Sequence, residues 1–198
     1  MNVPGATTAQ TSSQRWGEEG PRLAPLDEAV DHVRGPSSAR LLLECGDYEC
    51  PYTRHAYRLI QRLERRLEIR FAFRHFPLTR IHPHALAASR AAEAAALQGG
   101  YWDMHEILFH HQKALEDEDL RGYAAELALD VARLERDRAS DAVLERIERD
   151  VRSGIASGEV RGTPTLFIDG LLYQGSLEAE EIAGALAGPT ASSRPMTG

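Results

Sequence analysis

Cys50-Pro51-Tyr52-Thr53 sets a thiol directly after the apolar run Leu41–Cys45 and directly ahead of a helix-patterned stretch. Proline is favoured at the first helical position, where its missing N–H would have had no partner. Cys50 therefore falls at the cap, facing the free N–H groups of Tyr52 and Thr53. Unpaired donors and aligned peptide dipoles make such a place attractive to negative charge. A cysteine there can ionise in or below the neutral range, against about 8.5 for a free thiol. The chemistry this suggests is attack on disulfides. No second thiol follows in the motif, because Thr53 stands three residues on, with a hydroxyl placed to donate to the sulfur. A lone thiol can still form mixed disulfides that an outside thiol resolves. It can also be oxidised to a sulfenic acid and reduced from solution. The competing reading is a catalytically silent module that binds a peptide or partner without turnover.

Other candidates carry less. Cys45 lies five residues upstream at the end of the apolar run. Bridging to Cys50 would need Cα atoms within about 7 Å, and a small residue filling the core is the preferred reading, since free cysteine is so often buried. His82 and His84 flank Pro83, and His105, His110 and His111 gather on a later helix. They lack the carboxylate or cysteine framework of a zinc site, so no metal is expected. An imidazolium from His75 or His82 beside the sulfur would favour the thiolate, but ordinary core or surface histidines are the preferred reading. Gly162-Thr163-Pro164-Thr165 precedes the apolar run Leu166–Ile168. Proline at a strand start is tolerated in any fold, and about one X–Pro bond in twenty is cis.

The elements that position these residues follow from periodicity. Leu41–Cys45 reads as a buried strand bounded by Gly46-Asp47. From Pro51, Ala56, Leu59, Ile60, Leu63 and Leu67 recur at helical spacing, with Arg54, Arg58, Arg62, Arg65 and Arg66 mostly off that stripe. Ile69–Phe76 alternates as a strand. Strand, helix and strand make a βαβ unit with parallel strands. Helical patterns then run over 83–98, 101–114, 117–129, 131–137 and 141–153. Thr165–Ile168 and Leu171–Tyr173 flank Asp169-Gly170, a strong signal for a two-residue hairpin, and Leu177–Leu186 closes with a helix. Leu26–Val33 is a short amphipathic piece.

The chain has 198 residues, enough for one domain with an inserted subdomain. Its net charge of -7 and pI near 5.6 argue against nucleic acid or an anionic membrane as partner. No apolar run approaches the ~18 residues of a membrane span. The Thr/Ser/Gln/Gly-rich start, Met1 to Gly20, lacks the apolar centre of a signal peptide, so a cytoplasmic protein is expected. Two cysteines exclude a disulfide scaffold and a four-cysteine zinc site.

Gly46-Asp47-Tyr48-Glu49-Cys50-Pro51-Tyr52, Arg74-His75-Phe76-Pro77-Leu78, His82-Pro83-His84-Ala85 and Gly162-Thr163-Pro164-Thr165 occur in that order. With these motifs the chain resembles the DsbA-like thioredoxin-fold oxidoreductases, in the branch found as domains fused to some sodium/proton antiporters. The similarity runs from about Asp31 to Leu186. It implies an α/β thioredoxin-like fold with a helical insertion between a βαβ half and a β-hairpin-α half. The expected division is a disordered tail over 1–24, the domain over 25–187 with its insertion over about 83–157, and a second tail over 188–198. It also implies a thiol–disulfide oxidoreductase acting through Cys50, with Pro51, Tyr52, Thr53, Thr163 and Pro164 shaping the site. A cis Thr163–Pro164 bond beside the sulfur follows from the resemblance, with Thr163 offering backbone groups to an extended substrate by strand addition. Glu44 is the candidate for assisting proton movement. The family's second cysteine does not carry over, since Thr53 fills its place. The expected partners are a thiol- or disulfide-containing protein or glutathione. No cofactor is called for beyond glutathione as co-substrate. A glutathione-transferase-like role on the same scaffold is a lesser variant.

Overall fold

The computed structural model describes residues 23–188. Strands β1 (His32–Arg34), β2 (Leu41–Gly46), β3 (Arg70–His75), β4 (Thr165–Ile168) and β5 (Leu171–Leu172) form one sheet in the order β1-β3-β2-β4-β5. β2 and β3 are parallel, as the crossover through helix α1 (Pro51–Glu64) requires. β1 is antiparallel to β3, and β4 to β2 and β5. The β4–β5 turn has Asp169 at φ 47° and Gly170 at φ 80°. Two consecutive positive φ values give the turn whose twist matches its flanking strands.

Period-two alternation divides the sheet between two cores. Leu42, Phe71, Phe73, Leu166 and Ile168 pack on one face with Tyr57, Ile60 and Leu63 of α1. Leu43, Cys45, Ala72 and Phe167 pack on the other with Leu23 and Val160. Between β3 and β4 come α2 (Ala85–Ala96), α3 (Tyr101–His110), α4 (Asp117–Glu126), α5 (Val131–Arg138) and α6 (Asp141–Ser157), and α7 (Ala179–Ala187) follows the hairpin. The buried alanines of α2, Ala88, Ala91, Ala92 and Ala95 among them, present a small-residue surface to its neighbours. Gly158 ends α6 in the left-handed conformation, at φ 69°.

Two findings adjust the expected organisation. The amphipathic piece Leu26–Val33 resolves into a turn leading to β1, a strand of 3 residues too short to show a period. Leu23 is buried, and the Ala24 N–H donates to Ser153 Oγ at 3.2 Å, so both belong to the fold rather than to the expected tail. The rest of that tail, 1–22, and all but Gly188 of the second lie outside the described residues. A buried ion pair anchors the segment: Arg74 donates to Asp31 Oδ1 and Oδ2 at 3.0 and 2.8 Å, and to the Ala24 and Pro25 carbonyls at 2.7 and 2.9 Å.

Gly46 closes β2 where the sheet meets α1. A Cβ there would run into the Phe73 ring and come within 2.8 Å of Thr53 Cγ2. Gly46→Ala is expected to lower stability by about 1–3 kcal/mol through overpacking, read from urea unfolding. A variant as stable as the natural protein would show that this junction has slack.

Candidate active site

The junction between β2 and α1 is built around Asp47, which is fully buried. Its carboxylate accepts the N–H groups of Glu49 at 2.8 Å and Leu78 at 2.7 Å, and His82 Nδ1 donates to it at 2.9 Å. Its carbonyl accepts the Cys50 N–H at 3.2 Å. The loop is held from the helical insertion too. Gln112 Nε2 donates to the carbonyls of Tyr48 and Cys50 at 2.7 and 2.8 Å. The Tyr48 hydroxyl shares a hydrogen bond of 2.9 Å with His105 Nδ1 inside the aromatic core.

This frame delivers Cys50 to the N-cap of α1 in an extended conformation, φ -73° and ψ 122°, with Pro51 opening the helix. Sγ donates to the Thr163 carbonyl at 3.2 Å. The Thr163–Pro164 peptide is cis. Cys50 is 3% exposed, whereas Tyr52 beside it is 67% exposed. Thr53 is buried. Its hydroxyl oxygen accepts the Asp47 N–H at 3.4 Å, so the sulfur's hydrogen bond runs to Thr163 rather than to Thr53. Clefts flank the cap. One of about 380 Å³ lies against Thr163, Pro164, Tyr173 and Leu177. Another of about 410 Å³ lies against Glu49, Pro51, His84 and Leu115.

Glu44 sits on β2 on the same face as Leu42, wholly buried, and neither carboxylate oxygen has a hydrogen-bond partner in the protein. Burial is the main cause that raises its carboxyl from 4.5 to about 8. The nearby Cys50 sulfur adds to the rise, and Arg34 opposes it. Cys45 alternates to the opposite face with Leu43 and Phe167. Both cysteines are free thiols, and burial pushes the Cys45 thiol up. The sheet therefore separates Cys45 from the Cys50 cap.

The histidines serve the frame. His75 and His32 each bring Nε2 to Glu93 Oε1, at 2.8 and 3.0 Å. Burial by itself would raise the Glu93 carboxyl, but the hydrogen bonds and charges of the two histidines together outweigh it and hold Glu93 well below the usual carboxylate range. His84 brings Nδ1 to Glu49 and Nε2 to Glu116, both at 3.1 Å. Among the described residues no group of three His, Cys, Asp or Glu side chains could hold a metal ion. No helix there is long and apolar enough to cross a membrane. Asp47 and Gln112 hold the loop, and neither role was read from the sequence. An Asp after Gly at a strand end signals a turn, but nothing local marks Gln112.

A family model described as thioredoxin matches residues 27–187. The chain is similar to the Na(+)/H(+) antiporter NhaA of Herminiimonas arsenicoxydans, 43% identical over 185 residues, 89% of this chain and 29% of the antiporter. It is likewise similar to Na(+)/H(+) antiporter NhaA 1 of Salinispora arenicola, 41% identical over 174 residues, 87% of this chain and 26% of the relative. The chain thus spans less than a third of these relatives. Among solved structures it is similar to a thioredoxin-like oxidoreductase from Silicibacter pomeroyi, with 27% identity and TM-score 0.70 over 79% of this chain and 90% of that one. BdbD from Bacillus subtilis, in its oxidised form, shares the fold at 18% identity and TM-score 0.71, over 84% of this chain and 94% of that one. So does the thiol-disulfide exchange protein alpha-DsbA2 from Wolbachia pipientis, at 20% identity and TM-score 0.70 over 79% and 85% of the two chains.

Glu44 gives the site a pH signature. Its folded-state value lies above the ordinary one, so its stabilising contribution is full below about 4.5 and is lost as pH rises towards about 8. Glu44→Gln should remove that slope and gain, relative to the natural protein, on the order of a few kcal/mol across this window. Unfolding curves collected through the window decide it, and parallel pH profiles would mean Glu44 is not charged against its burial.

Proposed function

Because this chain belongs to the thioredoxin family and has DsbA-like structural relatives, we propose that it is a thiol–disulfide oxidoreductase working through Cys50 alone. The observation that carries this reading is the Cys50 sulfur at the N-cap of α1, 3.2 Å from the carbonyl that precedes cis-Pro164. Helix N-terminal N–H groups favour the anion that forms when the thiol proton leaves. The thiolate attacks a disulfide, one S–S bond breaks as the Cys50 mixed disulfide forms, and the displaced thiolate takes up a proton. With Thr53 in place of a second thiol, release falls to an outside thiol. It attacks the mixed disulfide and frees Cys50. The net change is one disulfide reduced and one formed between outside thiols, with Cys50 regenerated.

Glu44 is the group we assign to proton traffic. Its carboxyl at about 8 exchanges a proton near neutral pH and is electrostatically coupled to Cys50 without a hydrogen bond to it. Glutathione, or a protein thiol or disulfide, is the proposed partner, and a compartment rich in small thiols such as the cytoplasm suits the cycle. Thr163 and Pro164 shape one side of the groove, and Pro51 and the exposed Tyr52 lie at its rim. The second reading, a silent peptide-binding module, draws support from the burial of Cys50, which is 3% exposed with its sulfur hydrogen-bonded to Thr163.

Incubation with glutathione disulfide followed by mass spectrometry separates the two. One glutathione on Cys50, none on Cys45 and none on Cys50→Ser are expected. With glutathione disulfide as the oxidant, Thr53→Cys should then close a bridge to Cys50 and oxidise a reduced protein substrate without added thiol. An unmodified Cys50, together with a bridged Thr53→Cys that turns nothing over, would hand the protein to the binding-module reading.

A further inference from the structure

One turn along α1 from Cys50, on the same side of the helix, Arg54 borders a cavity of about 380 Å³ that also touches His110, His111, Gln112 and Lys113. Its volume falls within the range of small-ligand sites. Every ionisable side chain lining it is basic, in a protein whose net charge is -7. Arg54 Nε is buried without a hydrogen-bond partner. Neither Arg54 nor Lys113 takes part in an ion pair among the described residues, whereas Arg66, just past the end of the same helix, pairs with Glu180. The nearby acids pair with histidines and not with these two cations: Glu49 and Glu116 are held by His84, and Glu106 lies 3.9 Å from His110. Gln112 and Lys113 also border the cleft at Glu49 and Pro51, so the basic cavity and the cleft beside the cap are neighbours that share these two residues. Gln112 itself donates to the Cys50 carbonyl at 2.8 Å. On the other flank of the cap, Arg161 shares its cleft with Glu159, an acid that offsets it.

We propose that this cavity receives a carboxylate of a small acidic thiol of the glutathione type, with Arg54 and Lys113 as its cations, while the sulfur of that thiol is exchanged at Cys50. The inference rests on the thiol–disulfide reading and names the substrate class for it. With glutathione disulfide, the Cys50 thiolate forms a bond to one glutathione sulfur, the S–S bond breaks, and the second glutathione departs as a thiolate that takes up a proton. The two cations add charge-assisted contacts to a carboxylate. A disulfide without a carboxylate gains nothing from them.

S-methylglutathione, which cannot exchange, is titrated calorimetrically into the full chain carrying Cys50→Ser. The same protein is then tested with Arg54→Gln and Lys113→Gln added, and separately with Arg161→Gln added. Binding should weaken about tenfold with the first pair and hold with Arg161→Gln. In parallel, with Cys50 present, the Arg54→Gln, Lys113→Gln protein should react about tenfold more slowly with glutathione disulfide and at an unchanged rate with hydroxyethyl disulfide. No binding of S-methylglutathione, a loss that follows Arg161→Gln instead, or an equal slowing with both disulfides overturns the inference. Normal adduct formation that ignores Arg54 and Lys113 overturns it while leaving the oxidoreductase reading intact. Cation-dependent binding with no adduct supports the cavity and removes the oxidoreductase reading.

Discussion

The carboxylate of Asp47 carries the turn between β2 and α1, and the position of Cys50 depends on it. Three donors converge on this buried group from two segments: the Glu49 N–H of the turn itself, and the Leu78 N–H and His82 from the loop after β3. Hydrogen bonds to a charged acceptor are worth about 1.5–3 kcal/mol each, and leaving such a group unpaired in the core costs more than the bonds return. The turn therefore has one satisfied geometry. Cys50 inherits it and caps α1 with its sulfur against Thr163. Gln112 then ties the same turn to the helical insertion, so the insertion is part of the site's frame and not an ornament on the sheet.

The two faces of β2 divide labour between adjacent residues. Glu44 turns toward the α1 side, where it feels the Cys50 sulfur; Cys45 turns to the opposite core, where burial pushes its thiol up. A carboxyl buried without a partner is costly, and the fold tolerates one close enough to the thiol for the two charges to interact. Elsewhere the buried charges are paired, Arg74 with Asp31 and Glu93 with two histidines.

What was legible in the sequence was local. Pro51 after Cys50 gave the cap, the alternation around Phe71 gave β3, and Asp169-Gly170 gave the hairpin, because each rests on neighbours within one turn of chain. The three-residue β1 carried no period of its own and exists through its pairing to β3. Thr53 showed its spacing from Cys50 but not its direction, which is set by the Asp47 N–H. Nothing in the sequence paired Arg74 with Asp31, 43 residues away, and Gln112 touches the Cys50 loop across 62 residues. Side-chain partners that distant are decided by packing, and no periodicity encodes them.

The central claim is that Cys50 is the reactive thiol and Cys45 a core residue. The most direct measurement is the rate at which each is alkylated by iodoacetamide in the folded protein at neutral pH, followed by peptide mass spectrometry. The account predicts that Cys50 is labelled while Cys45 remains unlabelled until the protein is unfolded. Equal rates for the two, or a Cys50 that reacts only on unfolding, would contradict it.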